Sequence, residues 1–407
     1  MTDQIKPKET TSDHLSRRDF IRKTSAASAA VLMSSCGKKS SPTDSEGNNT
    51  NNGYADVSLA KLSNYEYSKL KSTVETMLDQ IGGITDIVTS GDKVAMKINL
   101  TGDGAWVESQ LGCPAEESIW THSSVIRAIG EAIKDAGAST IYIVEGGGDG
   151  LVKNSNFGYQ SVIASLGAQY YSLNATNPYT EFVSLPVANK FNYSEFKVNP
   201  ILQEVDSYIS IAKMKCHYTA GITLSMKNNI GMVPGYLYSG SAGGGTRWAL
   251  HGPGGNLSLA SYFLPRTIVD LNQARPIDLA VIDGISTMDK GEGSWVPNFI
   301  APHWAQALLI GKNPVKTDAI GMQVMGFDPL TSHYLNPFVV SENWLLRAKE
   351  KGLGDPNPSK IIIAGNSPND FPFKFHACDK NPDVMAKAST HRMTPYCGMH
   401  PDDKHRV

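Results

Sequence analysis

KVAMKINL (Lys93 to Leu100), SSVIRAIGEAIKDA (Ser123 to Ala136) and TIYIV (Thr140 to Val144) follow one another in the chain, and their order fixes the architecture. The first is a short β-rich run. The second sets Val125, Ile126, Ile129 and Ile133 at helical spacing and is followed by Gly137, a standard helix stop. The third is a buried-type strand that runs into Glu145-Gly146-Gly147-Gly148-Asp149-Gly150. Strand, helix, glycine and strand make a βαβ unit, and such a crossover implies parallel pairing.

The alternation continues downstream. Gly158 to Leu166 reads as helix and Ala168 to Leu173 as strand. Further strands are expected at Ser207 to Ala212, Asp278 to Ile282, Ala307 to Ile310 and Lys360 to Ala364. Helices are expected at Leu259 to Ala274, Lys316 to Met325 and Glu342 to Lys351. The expected fold is α/β, with mostly parallel or mixed sheets, flanking helices, and room for a second lobe after about residue 190.

Composition narrows the function classes. The 407 residues carry 37 basic and 39 acidic side chains, so a basic nucleic-acid binder is excluded and no nucleic-acid partner is expected. Five cysteines are too few for a disulfide scaffold in a chain of this length. No stretch approaches the roughly eighteen apolar residues that a membrane-spanning helix needs.

The N-terminus carries an address. Ser16-Arg17-Arg18-Asp19-Phe20-Ile21-Arg22-Lys23 is close to the twin-arginine export signature, and Thr24 to Ser35 is a weakly apolar run rich in Ala and Ser. Leu32-Met33-Ser34-Ser35-Cys36-Gly37 resembles a lipobox, with Cys36 as the lipidated residue; incidental cleavage nearby is the plainer account. Lys38 to Gly53, rich in Ser, Asn, Gly and Lys, reads as a flexible tether. The expected organisation is a signal peptide over 1–35, a lipidated cysteine and tether over 36–55, an α/β body over 56–375 and a Cys/His-containing tail over 376–407. The partners this implies are the twin-arginine translocase during export and a membrane reached through the lipid anchor only. The expected location is the cell envelope, facing the periplasm or the outside.

The densest chemistry lies in KMKCHYTAGITLSMKNNIGMVPG (Lys213 to Gly235). It follows the Ser207 to Ala212 strand, and open α/β sheets collect ligands at the carboxyl ends of their strands. Lys213, Lys215 and Lys227 suit a small anionic molecule, Lys227 also offers a nucleophilic amine, and His217 is an acid, a base or a metal ligand. Solvated lysines on a polar loop are the plainer account. Lys97 and Asn99 at a strand end, His122 at a helix start, Asn228 and Asp283 complete the expected ligand-binding set. His122 serves equally well as a cap, and Asp318, opening a helix, fits the macrodipole without any function. Glu145 precedes glycines that let backbone approach a ligand closely. The glycine-rich stretches after Asp283 (with Met288, Asp289, Gly291 and Gly293) and at Ser241 to Gly255 (with Arg247, Trp248 and His251) read as covering loops.

That string resembles the central motif of the domain-of-unknown-function-362 family of bacteria and archaea, with Thr223 six places after His217 as the motif asks. Met96 to Leu100 with Thr121-His122, and Val281 to Ile285 with Leu309 to Ala319 and Gly326-Phe327-Asp328-Pro329, resemble its flanking blocks in family order, over about residues 90–365. Some members carry ferredoxin-type clusters; this chain has no C-x-x-C run, so no such iron–sulfur centre is expected. His217, Gly221 and Lys227 are also similar to a motif of nickel-pincer lactate racemases, whose lysine holds a covalent cofactor. Leu224-Ser225-Met226 replaces the paired glycines expected there. The cofactor therefore stays unknown, with a metal left open. In the tail, His376, Cys378, Cys397 and His400 could ligate zinc or copper. A Cys378–Cys397 disulfide, worth roughly 3 kcal/mol, is the simpler account in an oxidising compartment. Together these readings describe an exported, lipid-anchored enzyme with His217 and Lys227 as catalytic residues, or else a non-catalytic ligand- or partner-binding lipoprotein.

Overall fold

The computed structural model describes residues 53–101, 110–147, 152, 157–240, 247–256, 259–293 and 299–377. The export signal, Cys36, the tether up to residue 52 and the Cys378–Cys397 pair lie outside the described residues.

The βαβ unit forms as the periodicity requires. Strand β2 (Lys93–Lys97) leads to helix α2 (Ser123–Asp135), whose buried face is Val125, Ile126, Ile129 and Ile133, and then to β3 (Thr140–Glu145), parallel to β2. Helix α3 (Tyr159–Leu166) and β4 (Gln169–Ser172) repeat the step, and β4 lies parallel to β3. Beyond a small β5–β6 pair (Val183–Pro186, Glu195–Val198) and one helical turn, α4 (Ile201–Glu204), the chain returns to the sheet as β7 (Ser207–His217). Strand β7 pairs with β2 on one side and with β9 (Leu279–Asp289) on the other, both parallel.

The sheet order is β12-β1-β11-β9-β7-β2-β3-β4. Strands β11 (Ala307–Gly311) and β1 (Val57–Lys61) extend it antiparallel, and β12 (Ile363–Gly365) pairs with β1 in parallel. Short β8 (Gly221–Thr223) and β10 (Ile300–His303) fold back on β7 and β9. The fold is therefore α/β with a mixed, mostly parallel central sheet.

Helix α1 (Tyr67–Gln80), α2 and α3 cover one face through Leu70, Val74, Ile126, Ile129 and Val162. Helices α5 (Ala260–Ala274), α6 (Pro314–Met325) and α7 (Trp344–Glu350) cover the other through Leu264, Ile268, Ile320 and Trp344. From Gly53 onward the chain is one compact unit, so the expected second lobe does not separate. The physical reason is that β7 inserts beside β2 and carries the second half of the chain into the same sheet.

That insertion creates a switch point. From β2 the chain steps one way, through β3 to β4; from β7 it steps the other way, to β9. The crevice where the direction reverses, at the carboxyl ends of β2 and β7, is where open α/β sheets bind ligands.

Candidate functional site

Strand β7 is longer than its apolar run. It continues through Lys213-Met214-Lys215-Cys216-His217, with Lys213 and Lys215 buried at 0% and 1% exposure. The expectation of a loop starting after Ala212 is therefore corrected. K-x-K-x-H has the period of a strand, and it puts Lys213, Lys215 and His217 on one face. Met214 and Cys216 enter the apolar core on the other face. Strand β9 is extended in the same way: Asp283 lies inside it, and Met288 and Asp289 are buried strand residues in place of the expected covering loop.

Three clusters meet at these strand ends. In the first, Lys97 Nζ lies 2.9 Å from both Glu145 carboxylate oxygens and donates to Ile98 O (2.7 Å) and Asn228 Oδ1 (3.2 Å). Glu145 also accepts from Leu100 N and Gly146 N. Asn228 Nδ2 donates to Lys97 O and Ser210 Oγ, so this one amide straps β2 to β7 across the switch point. Asn99 Nδ2 donates to Asn228 Oδ1 (3.1 Å). Gly231 closes the cluster: a Cβ there would sit 2.6 Å from Glu145 Oε1 and 2.8 Å from Lys97 Nζ, so no side chain fits.

In the second, Lys213 and Asp283 are register partners on adjacent parallel strands. Lys213 Nζ donates to Asp283 Oδ2 (2.9 Å), Tyr65 OH (3.0 Å) and Glu116 O (2.8 Å). Asp283 also accepts from Tyr65 OH and from the backbone of His122. His122 caps α2, its Nδ1 accepting from Ser124 N (3.1 Å), and its ring stacks on Tyr65 at 3.6 Å. Capping is thus what the structure assigns to His122.

The third cluster is different in charge. Lys215 Nζ makes one hydrogen bond, to Ile119 O (2.7 Å). Lys227, at the start of the turn Lys227–Met232, makes no side-chain hydrogen bond among the described residues. His217 Nδ1 accepts from Thr219 N (3.2 Å) and Ala220 N (3.1 Å), which places its proton on Nε2, 2.8 Å from Glu292 Oε2. Glu292 also accepts from Tyr218 N. His251 lies within the field of His217, Lys227 and Glu292; its Nδ1 meets Arg247 O at 3.2 Å, so Nδ1 carries the proton there.

The electrostatics follow this division. Burial lowers the pKa of Lys97 and Lys213, and in each the carboxylate partner, Glu145 or Asp283, opposes the shift. Lys215 is pushed down to about 7, by burial first and by the charge of Lys227 second. Lys227 is lowered to about 8 by burial, with Glu292 opposing and Lys97 adding to the shift. His217 and His251 fall to about 4, chiefly through burial. Two amines thus share one nearby carboxylate, which His217 and Tyr218 already engage.

Asp318 completes the support. It is buried inside α6, and its carboxylate accepts from Ser225 N (2.9 Å), Ser225 Oγ (2.6 Å) and Met226 N (3.0 Å), fixing the backbone just before Lys227. The macrodipole account of Asp318 is replaced by this one. Burial raises its pKa to about 7 against those three bonds.

All nine expected site residues therefore converge at the switch point: Lys97, Asn99 and Asn228 in the first cluster, His122, Lys213 and Asp283 in the second, Lys215, His217 and Lys227 in the third. Tyr65 and Glu292 were not legible. Tyr65 sits in a locally unremarkable segment and reaches the site only through tertiary folding. Glu292 lies between Gly291 and Gly293 of the glycine-rich stretch read as a covering loop, whose glycines drew the reading away from its carboxylate. Among the described residues no group of three or more His, Cys, Asp or Glu side chains is placed to hold a metal. Both ring nitrogens of His217 are engaged, so the arrangement does not fit His217 as a metal ligand. At the carboxyl end of β9, His376 donates from its backbone and places Nδ1 2.6 Å from buried Asp289. Cys113 and Cys216 form no disulfide.

The fold and these clusters define an α/β protein with a lysine-rich site at a switch point between parallel strands. The chain belongs to the family described as Domain of unknown function (DUF362), whose profile matches residues 94–323. That match spans β2 to α6 and contains all nine residues. The chain is also similar to the Thylakoid-associated protein sll1697 of Synechocystis sp., at 24% identity over 279 residues, covering 68% of this chain and 76% of that protein. Among solved structures, a Thermotoga maritima protein aligns with a TM-score of 0.32 and 11% identity, over 55% of this chain and about half the length of that one (50%). A likeness of that size carries no argument about function.

Proposed function

We propose that the chain is an exported, lipid-anchored enzyme acting on a small anionic substrate at the switch point. The observation that carries this reading is the charge of the third cluster. Among the described residues Lys215 Nζ bonds only a backbone carbonyl and Lys227 Nζ bonds none, while neighbouring Lys97 and Lys213 each have a buried carboxylate of their own. Two desolvated ammonium groups that share Glu292, already engaged by His217 and Tyr218, favour an anion that supplies further negative charge. In this reading Lys227 and Lys215 bind the substrate's charge. His217 Nε2 and Glu292 hold one exchangeable proton between them, because Nδ1 is committed to backbone N–H groups.

The export signature and Cys36 supply the address. No helix among the described residues is long and apolar enough to cross a membrane, so attachment in this proposal rests on the lipid. A relative named for its association with thylakoids is in keeping with a membrane setting.

A second reading, a non-catalytic binding lipoprotein, is favoured by the full engagement of both His217 nitrogens. One experiment separates the two: a panel of small carboxylates and phosphate is incubated with the purified protein and followed by proton and phosphorus NMR, with Lys227→Ala and His217→Ala in parallel. Turnover lost in both variants supports the enzyme. Binding lost in Lys227→Ala with no turnover anywhere supports the binder. If neither variant changes binding or turnover, the site assignment is wrong. For the address, Cys36→Ser should release the protein from membranes, and replacing Arg17 and Arg18 with lysines should retain it in the cytoplasm.

A further inference from the structure

Beside the unpaired cations, the same crevice holds polar atoms of the opposite kind. Asn99 is 8% exposed, and its Oδ1 is buried with no hydrogen-bond partner among the described residues. Its Nδ2 is spent on Asn228 Oδ1, the residue next to Lys227. Thr223 Oγ1 is likewise buried without a partner, and Thr223 stands opposite Lys215 in the β7–β8 pairing, which puts both side chains on one face. A buried acceptor left unmade is expensive, and native proteins keep few of them. Ammonium groups cannot serve these acceptors here, since no lysine Nζ reaches them among the described contacts.

We infer that this site selects small anions that bring their own hydrogen-bond donor, such as a hydroxylated acid or hydrogen phosphate, over anions of like size and charge that carry acceptors alone. This rests on the anion-site reading above and deepens it. The lysines take the negative oxygens; Asn99 Oδ1 and Thr223 Oγ1 take the O–H. A site whose buried acceptors are left unpaired by a ligand rejects that ligand, which is a stronger filter than pocket size.

The test uses two matched pairs with the full chain at pH 7 and fixed ionic strength: phosphate against sulfate, and glycerate against propionate. Dissociation constants come from isothermal titration, checked by the shift in thermal midpoint. The donor-bearing member of at least one pair is expected to bind about tenfold or more tightly than its donor-free partner. Asn99→Leu is expected to narrow that ratio. Because the ratio is measured first on the unaltered protein, a variant that fails to fold does not remove the test. Equal affinity within both pairs, with binding lost in Lys227→Ala, overturns this inference and leaves the anion site standing. No binding of any of the four overturns both.

Discussion

Lowering the pH from 6.5 to 4.5 should destabilise this fold more steeply than its surface carboxylates alone can explain. His122, His217 and His251 are each held at about 4, below the 6.5 of an ordinary histidine. Between those values the folded chain keeps them neutral and the unfolded chain protonates them, so their contribution to stability is full above pH 6.5 and disappears as pH falls toward 4. Contacts agree with the direction: Nδ1 of His122 accepts from Ser124 N, and Nδ1 of His217 accepts from Thr219 N and Ala220 N, so a proton at either nitrogen would oppose backbone N–H groups. Asp318 acts in the opposite sense. At about 7 in the fold against 3.8 otherwise, it holds a proton that the unfolded chain gives up across this window. From these four groups three protons are taken up on unfolding and one is released, a net of about two; His303 and His333, also held low, act in the same sense, and Asp270, held high, opposes them. Each is worth about 1.4 kcal/mol per pH unit, so stability should fall by roughly 2–3 kcal/mol per unit. Carboxylates held low, such as Glu342, lose their contribution only below about pH 4.5, which isolates the window. Urea titrations at pH 7.5, 6.5, 5.5 and 4.5 and constant ionic strength, read by tryptophan fluorescence, give the slope. His217→Gln should reduce the uptake by about one proton. A flat or rising stability between pH 6.5 and 4.5 would refute the reasoning.

Other consequences are equally direct. Asp283→Ala removes the carboxylate bonded to Lys213 and the acceptor for His122 N, and should destabilise the fold by about 3–5 kcal/mol in chemical denaturation. Adding Lys213→Met should recover much of that loss. Asp318→Asn exchanges an oxygen that accepts Ser225 or Met226 N–H for a donor, and should lower stability by about 1–3 kcal/mol and weaken phosphate or glycerate binding through the displaced Lys227. Lys215→Met should do the reverse, raising stability at pH 7 by roughly 1–4 kcal/mol while anion affinity falls, because it removes a buried cation that no carboxylate contacts. If Lys215→Met weakens the fold and leaves binding intact, Lys215 belongs to the scaffold.

The βαβ start was readable because Val125, Ile126, Ile129 and Ile133 announce a helix by period alone, and Gly137 closes it. The reach of β7 and β9 was not, because hydrophobicity stops at Ala212 and Ile282 while the strands run on to His217 and Asp289. Lysine and aspartate at the next positions argue for solvent on composition. They are buried only because parallel register sets Lys213 beside Asp283, a fact that no local window contains. The signal that could have found the extension is the alternation of K-x-K-x-H itself. Strand β1 escaped notice for a related reason: VSLAK is short, and β11 and β12 give it its place from some 250 residues and more away in the chain.

The site's four lysines also show why a cluster of like residues should not be read as one functional unit. Lys97 and Lys213 point to carboxylates supplied by β3 and β9, and those pairs tie strands together on the two faces of the sheet. Breaking them should cost fold and function together. Burial lowers Lys215 to about 7 and Lys227 to about 8, with Lys227 adding to the shift of Lys215 and Lys97 to that of Lys227, and Asp318 fixes the backbone just before Lys227. A scaffold gains nothing from such a pair, since a buried cation without a counterion opposes folding. Its retention in the crevice where the strand order reverses is best explained by a ligand whose charge completes it. Stability and binding should therefore move in the same direction for the first two lysines and in opposite directions for the second two. Thermal midpoints and phosphate or glycerate affinities of the four single methionine variants would show this split directly, and a uniform loss of both quantities across all four would remove it.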